Sequence, residues 1–165
     1  QSEPLEAPQI WASEEQHAFM DFATEFALRA GYLPEGDYLD EETRFRIEYR
    51  NRLFNSDGSV ELSPARIDRM TGTVQLSRPQ FQGFTIPVRL AILSHEICHR
   101  TLDTRDETRA DLCGLSYYLQ SGWPKIEAVY ASTKVFGQYP HLLNPALLDR
   151  TRTAIQFITE YDNDN

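Results

Sequence analysis

The sequence predicts a small α+β domain, because two different hydrophobic periods follow each other along the chain. Residues 13–30 place apolar side chains on one face of a helix, at a spacing of about 3.6 residues. Residues 43–54 then alternate apolar and charged side chains, as in a strand with one solvent-exposed face. Residues 86–102 return to a helical pattern. A helix, then strands, then helices is an order typical of α+β folds.

The segment between the first helix and the long helix predicts a sheet of three or four mostly antiparallel strands. Turn signals at 55–58 and at 71–72 separate three further short segments, 59–63, 65–70 and 73–77. Each is short enough to be a single strand.

The helices that follow have recognisable ends. Pro87 suits the first turn of the long helix. Asp106 suits the N-cap of the next helix, which Gly122 ends. Two more are expected, one from Pro124 to about residue 136 and one opened by Asn144-Pro145. Three helices therefore follow the long helix.

Composition indicates one domain over residues 1–165, with an extended tail over 1–11 and a disordered tail over 162–165. A hydrophobic fraction of 41% and a charged fraction of 25% are those of a soluble globular protein. The net charge of −9 argues against nucleic acid or an anionic membrane as the main partner. The N-terminal residues do not resemble a signal peptide, and no apolar run approaches the roughly 18 residues of a transmembrane helix. The compartment and the oligomeric state stay open.

The most informative motif lies in the long helix, where residues 95–99 read HEICH. On a helix, His95 and His99 project from the same face, one turn apart, so both imidazoles can reach one Zn²⁺ ion. Glu96 points away from that face and is better placed to take a proton from a water molecule. The competing interpretation is an ordinary pair of histidines on a buried helix. The motif therefore predicts a zinc site with Glu96 as general base.

A third metal ligand is expected at the start of the following helix. Glu107 lies in its first turn, and a catalytic zinc needs three protein ligands and one open position. Asp111 lies four residues later on the same face, where its carboxylate can accept the free N–H of a ligand histidine. Asp103 and Asp106 are rival ligands, but neither lies within the predicted helix with an acid one turn further along it, as Glu107 does with Asp111. Glu107 and Asp111 could also be solvated charges that are favourable at a helix start.

Cys98 and Cys113 are the only cysteines, one on each of the two helices that carry the site. Cys98 is adjacent to His99 and points off the ligand face, so it is not expected to bind metal. We expect two buried free thiols, while a disulfide between the helices stays open.

The HExxH motif, followed by Glu107-Thr108-Arg109-Ala110-Asp111 as an ExxAD motif, resembles the gluzincin metallopeptidases. The branch with the heat-shock membrane protease and the prenyl-protein endopeptidases looks most similar. The resemblance implies a zincin-like fold, in which both motif histidines and the ExxAD glutamate bind Zn²⁺. It covers residues 66–152, without that branch's transmembrane helices.

The same resemblance suggests which other residues contact substrate. His141 resembles the downstream histidine that stabilises the oxyanion, and Arg152 resembles the arginine that follows it, although their spacing is longer here. Three tyrosines are rivals for the oxyanion role: Tyr117, Tyr118 and Tyr130. In such peptidases an edge strand over the cleft pairs with an extended substrate. Thr73–Ser77 is the candidate strand, with an interior position as the alternative.

Together these features predict a zinc-dependent metalloendopeptidase acting on peptide or protein substrates. Two alternatives remain open. One is a non-catalytic structural or binding module of a larger assembly, which the intact Glu96 disfavours. The other is a zinc amidase acting on cell-wall peptides, which would share every residue of the site.

Overall fold

Helical and extended segments follow each other as the two hydrophobic periods predict. The structure, a computed structural model, describes residues 14–135 and 145–161. Its elements in chain order are α1 (Glu14–Arg29), β1 (Gly36–Leu39), β2 (Arg46–Arg50), β3 (Ala65–Ile67), β4 (Thr73–Ser77), α2 (Arg78–Gly83), α3 (Ile86–Thr101), α4 (Glu107–Gln120), α5 (Lys125–Tyr130) and α6 (Pro145–Glu160). A π-helical turn, Ala131–Val135, continues α5. The described residues thus form an α+β fold with six α-helices and a four-stranded sheet.

The sheet is mixed and has the strand order β1-β2-β4-β3. Strands β1 and β2 are antiparallel, as are β3 and β4, but β2 and β4 are parallel, with Ile47 opposite Val74. Strand β4 is therefore an interior strand, and the expectation that it forms an edge is wrong. The reason is the loop after β2, which lets the chain return as β3 and pair only with β4. Strand β3 forms the edge on this side of the sheet, and β1 forms the other edge.

Three local features differ from the sequence-based expectation. Residues 59–63 do not form a strand, and this segment contributes a single bridge between Phe54 and Val60. A tight turn closes the loop locally, because Gly58 adopts a φ of 89° and Asn55 N donates to Ser59 O at 2.8 Å. Strand β1 and the short helix α2 were not expected, since each is too short to show a period.

The core lies between the sheet and the helices α1 and α3. Ile47 and Tyr49 of β2 are fully buried, which confirms the apolar face predicted for this strand. The Tyr49 ring meets Phe26 of α1 edge-to-face, with centroids 5.0 Å apart. On the opposite face Arg46 pairs with Asp37 of β1 at 2.6 Å, so that face is solvated and charged as predicted.

Helix α3 runs through the centre of the domain, and α4 packs along it, with α6 packing on α4. The three helices after α3 were predicted, and Asp106 caps α4 as expected, accepting from the backbone N–H groups of Thr108 and Arg109. The expectations for residues 1–11, Asn144 and residues 162–165 lie outside the described residues. None of the described helices has the length and apolar character needed to span a bilayer.

Candidate metal centre

Helix α3 places His95 and His99 side by side, one turn apart. Its start is fixed by Thr85, whose hydroxyl accepts from Val88 N, and Pro87 lies in the first turn as predicted. Both imidazoles are buried, and their rings meet edge-to-face with centroids 4.8 Å apart. The two Nε2 atoms are 3.2 Å apart. The expected geometry of the two histidines is therefore confirmed.

Glu107, the first residue of α4, completes the group. Its Oε1 atom lies 3.0 Å from His95 Nε2 and 3.0 Å from His99 Nε2. The Asp106 N-cap holds this first turn in place. His95, His99 and Glu107 thus form a group that could hold a metal ion, and this is the trio that the sequence predicts.

The acceptor oxygens beside the two Nδ1 atoms define the tautomers of the imidazoles. His99 Nδ1 lies 2.8 Å from the carbonyl oxygen of Thr104. A carbonyl oxygen only accepts, so Nδ1 carries the hydrogen. His95 Nδ1 lies 2.8 Å from Asp111 Oδ1, an ionised carboxylate, and carries a hydrogen for the same reason. In the neutral imidazoles both Nε2 atoms therefore present lone pairs toward Glu107 Oε1.

Three lone-pair atoms within 3.0–3.2 Å of each other fit a small divalent cation. Tetrahedral Zn²⁺ with bonds of about 2.0–2.1 Å separates its ligand atoms by about 3.3 Å. The three ligand atoms would therefore have to move apart only slightly to hold Zn²⁺. Imidazole nitrogen and carboxylate oxygen are also ligands that Zn²⁺ uses.

The electrostatics of the site favour positive charge where the three ligand atoms meet. Burial opposes a charge on His95, but the carboxylates of Asp111 and Glu107 raise its pKa to about 10. Burial would raise the pKa of Glu107, but His95 and His99 hold it well below its usual range. A metal ion would replace protons as the counter-charge to these carboxylates.

Asp111 lies behind His95, as predicted, and is buried. Besides its contact with His95 Nδ1, it accepts two hydrogen bonds from Arg150 of α6, at 2.6 Å from Nε and 2.9 Å from Nη2. This two-pronged pair fixes the orientation of the carboxylate. Burial opposes ionisation of Asp111, but Arg150 and His95 keep its pKa below the ordinary value.

Glu96 lies beside the trio without belonging to it. Its Oε2 atom is 3.9 Å from His95 Nε2, and its side chain lines the same cleft. Burial raises the pKa of Glu96 above its ordinary value, against the opposing effect of His95 and His99. A raised carboxyl pKa suits a group that must accept and return a proton near neutral pH.

Other predicted site residues lie elsewhere. Asp103 is exposed and pairs with Arg69 at 3.0 Å, and Asp106 is used as the helix cap, so neither belongs to the candidate metal-binding group. Arg152 is 78% exposed and pairs with Asp149, so its predicted place in the site is wrong. His141 lies outside the described residues.

The three tyrosines proposed as rivals for the oxyanion role do not line the cleft. Tyr118 donates to the carbonyl oxygen of Pro124, and the Tyr117 ring packs against His17. Tyr130 is half-exposed on α5.

Arg150 is the site residue that the sequence analysis missed. Arg150 and Arg152 belong to the same helix, but only Arg150 falls on the stripe that includes the buried Ala154 and Ile158, at four-residue intervals. This stripe was a usable signal, because residues four apart share a helix face. An arginine in line with buried apolar residues is expected to point inward toward an acidic partner.

A disulfide and a glycine hold α3 and α4 together at the site. Cys98 and Cys113 form a disulfide with a Cα–Cα distance of 6.0 Å. The prediction of two free thiols is therefore wrong. A Cβ added to Gly114 would lie 2.8 Å from His95 N and 2.9 Å from its Cα. Because Gly114 has no side chain, α4 can approach the backbone of His95, and this close approach brings the two cysteines within bonding distance.

The trio opens into a cleft of about 650 Å³. The edge strand β3 forms one wall, and the loop between α3 and α4 contributes Arg105. Met70, in the middle of the β3–β4 turn, is 85% exposed and also lines the cleft. Strand β3 thus lines the same cleft as the candidate metal-binding group and Glu96.

No protein-family model, curated protein or solved structure matches this chain.

Proposed function

We propose that the protein is a zinc-dependent metalloendopeptidase with a zincin-like fold. The observation that carries the proposal is the convergence of three lone-pair atoms, from His95, His99 and Glu107, within 3.0–3.2 Å. A second carboxylate, Glu96, lies at the same cleft without being a ligand. A structural zinc site usually closes its coordination with four protein ligands, whereas three leave a position for a water molecule or a substrate.

Zn²⁺, when bound, would supply Lewis acidity, lowering the pKa of water toward 7 and polarising the scissile carbonyl group. Glu96 accepts a proton from the attacking water as the new C–O bond forms. It then delivers that proton to the amide nitrogen as the C–N bond breaks, so the products are a carboxylic acid and an amine. Because Glu96 is buried, little bulk water competes for this proton.

The remaining residues position the ligands. Asp111 holds the His95 ring with its Nε2 lone pair facing the cleft, and the Thr104 carbonyl does the same for His99. Arg150 neutralises Asp111 and fixes its orientation. Stabilisation of the oxyanion is a further requirement, and His141 stays the predicted residue for that role.

Strand β3 is the proposed docking edge for substrate. It pairs with β4 along one side only, and its other side borders the cleft. Backbone pairing with an edge strand holds a peptide extended and largely independent of its sequence. This mode suits an endopeptidase, since it uses main-chain groups that any internal segment of a substrate offers.

The proposal is tested by digestion of casein and a peptide library alongside cell-wall fragments, with the protein zinc-loaded, stripped by a chelator and reloaded. We expect cleavage of peptide bonds in protein substrates that is lost on stripping and regained with Zn²⁺. Cleavage of wall fragments alone would favour the amidase. Absence of all cleavage by the zinc-loaded protein would favour a non-catalytic module.

A further inference from the structure

The cleft contains four arginines, and they differ in whether a protein group already neutralises or binds them. Arg66 donates to Gln75 Oε1 at 2.6 Å and to the Phe54 carbonyl at 2.7 Å. Arg69 pairs with Asp103 at 3.0 Å, and Arg150 pairs with Asp111. These three guanidinium groups are therefore committed to the fold.

Arg105 is different. Its side chain lines the cleft and is exposed, and within residues 14–135 and 145–161 no acidic group or carbonyl oxygen binds it. The charge of an exposed, unpartnered guanidinium remains available to a ligand entering the cleft.

The acidic residues of the cleft do not compensate this charge. Asp68 Oδ1 accepts from the backbone N–H groups of Met70 and Thr71, within its own turn. Glu61 Oε2 accepts from Ser63 N in the same way. Glu96 and Glu107 face the histidines. Each of these four carboxylates thus has a local function, and none of them binds Arg105.

The backbone on both sides of Arg105 is held in place by the metal centre itself. Thr104 N donates to His99 O at 2.9 Å, and its carbonyl accepts from His99 Nδ1. Asp106 N donates to the Thr104 hydroxyl at 3.0 Å while the Asp106 side chain caps α4. The loop therefore presents Arg105 at a fixed position, two residues from Glu107, and preorganisation of this kind lowers the entropic cost of binding.

We propose that Arg105 is a specificity-determining residue that binds a carboxylate of the substrate, so that the cleft selects peptides with an acidic group close to the scissile bond. This inference rests on the proposed peptidase function. The carboxylate can come from an Asp or Glu side chain or from a free C-terminus, since a guanidinium binds both in the same two-pronged way.

The test measures peptide binding rather than turnover. Zinc-loaded Glu96→Gln protein is titrated with short fluorescent peptides in which each position in turn is Glu, Gln or Lys, with an amidated or a free C-terminus. At one or two positions, or for the free C-terminus, we expect the acidic peptide to bind roughly fivefold more tightly than its neutral counterpart, as for a favourable exposed ion pair. The peptide series that shows the preference identifies the source of the carboxylate.

Three substitutions made in the same background sharpen the test. Arg105→Gln should abolish the acidic preference, and Arg105→Glu should turn it into a preference for Lys. Arg109→Gln is the matched control, because Arg109 is exposed on α4 and does not line the cleft. It should leave the preference intact.

A preference that survives in Arg105→Gln, equal binding of acidic and neutral peptides, or no binding of any peptide would overturn the assignment. The peptidase proposal fails separately, if the zinc-loaded wild type leaves intact the peptides that the Glu96→Gln protein binds.

Discussion

Glu107 and Asp111 lie four residues apart on α4, but their carboxylates meet opposite sides of His95. Glu107 Oε1 is 3.0 Å from Nε2, on the cleft side, and its side chain is 53% exposed. Asp111 Oδ1 is 2.8 Å from Nδ1, on the side packed within the helices, and its side chain is 6% exposed. The same chemical group therefore serves as a candidate ligand at the front and as an orienting acceptor at the back.

The comparison shows that the position of a carboxylate along α4 determines which of these two roles it has. At its first turn α4 reaches the open cleft, where a carboxylate can meet a metal ion. One turn later it is in contact with α3 and α6, where Arg150 must neutralise the charge. Substitutions on the cleft side of His95, the front of the site, are expected to affect metal binding and catalysis directly. Substitutions on its packed side, the back of the site, act through the orientation of the His95 ring.

The largest effect is expected at the front, for Glu96→Gln. The side chain is nearly isosteric and is not a ligand, so the protein should keep its zinc and its fold. The maximal turnover rate should fall by roughly 10²–10⁴-fold, because a general base is lost. Peptide hydrolysis and metal content measured on the same preparation check this. Undiminished turnover would remove Glu96 from the mechanism.

At the back, Asp111→Ala should weaken zinc affinity by about 10–100-fold, the usual effect of losing such an acceptor. Asp111→Asn should lie between Ala and wild type, because an amide oxygen can still accept from His95 Nδ1 but carries no charge. Competition titration with a zinc chelator measures all three proteins. Equal affinities would mean that Asp111 is unrelated to the metal.

Gly114→Ala tests whether the close approach of α3 and α4 supports the back of the site. The added methyl group would meet the His95 backbone, so the free energy of unfolding should fall by about 1–3 kcal/mol, as for other overpacked cores. Gly83→Ala is the control, because a Cβ there meets no atom within 4 Å. Denaturant unfolding of both variants decides the matter. A Gly114→Ala protein as stable as Gly83→Ala would refute the role of the close approach.

The smallest effect is expected one step further from the metal, at Arg150. Arg150→Gln should weaken zinc affinity by less than about tenfold, since it loosens the orientation of Asp111 but also removes a positive charge 3.8 Å from Glu107 Oε1. Arg152→Gln, two residues away on the exposed face, should leave affinity unchanged. The same chelator titration compares the two. A larger loss for Arg152→Gln than for Arg150→Gln would contradict the assignment.

Much of the front of the site could be predicted from the sequence, because its residues lie on two consecutive helices. The spacing of His95 and His99 fixes their geometry through the helix alone, and Glu107 follows from the N-cap at Asp106. Asp111 was predictable for the same reason, as the residue one turn further along α4. Local rules of helix geometry were sufficient in each case.

The back of the site and the sheet depend on contacts between distant segments. Arg150 reaches Asp111 across 39 residues of sequence, and only its alignment with the buried Ala154 and Ile158 indicates this. The position of β4 inside the sheet depends on where the loop after β2 returns, which hydrophobic alternation does not specify. The disulfide likewise requires the close approach that Gly114 allows.

The most direct test of the central claim is the zinc content of the purified wild type and of His99→Ala, both prepared with excess Zn²⁺ and then dialysed. We predict one zinc ion per wild-type chain, held by His95, His99 and Glu107, and its loss from the variant. Circular dichroism of both proteins controls for folding. A metal-free wild type, or a folded His99→Ala protein that keeps its full zinc content, would contradict the assignment of this site.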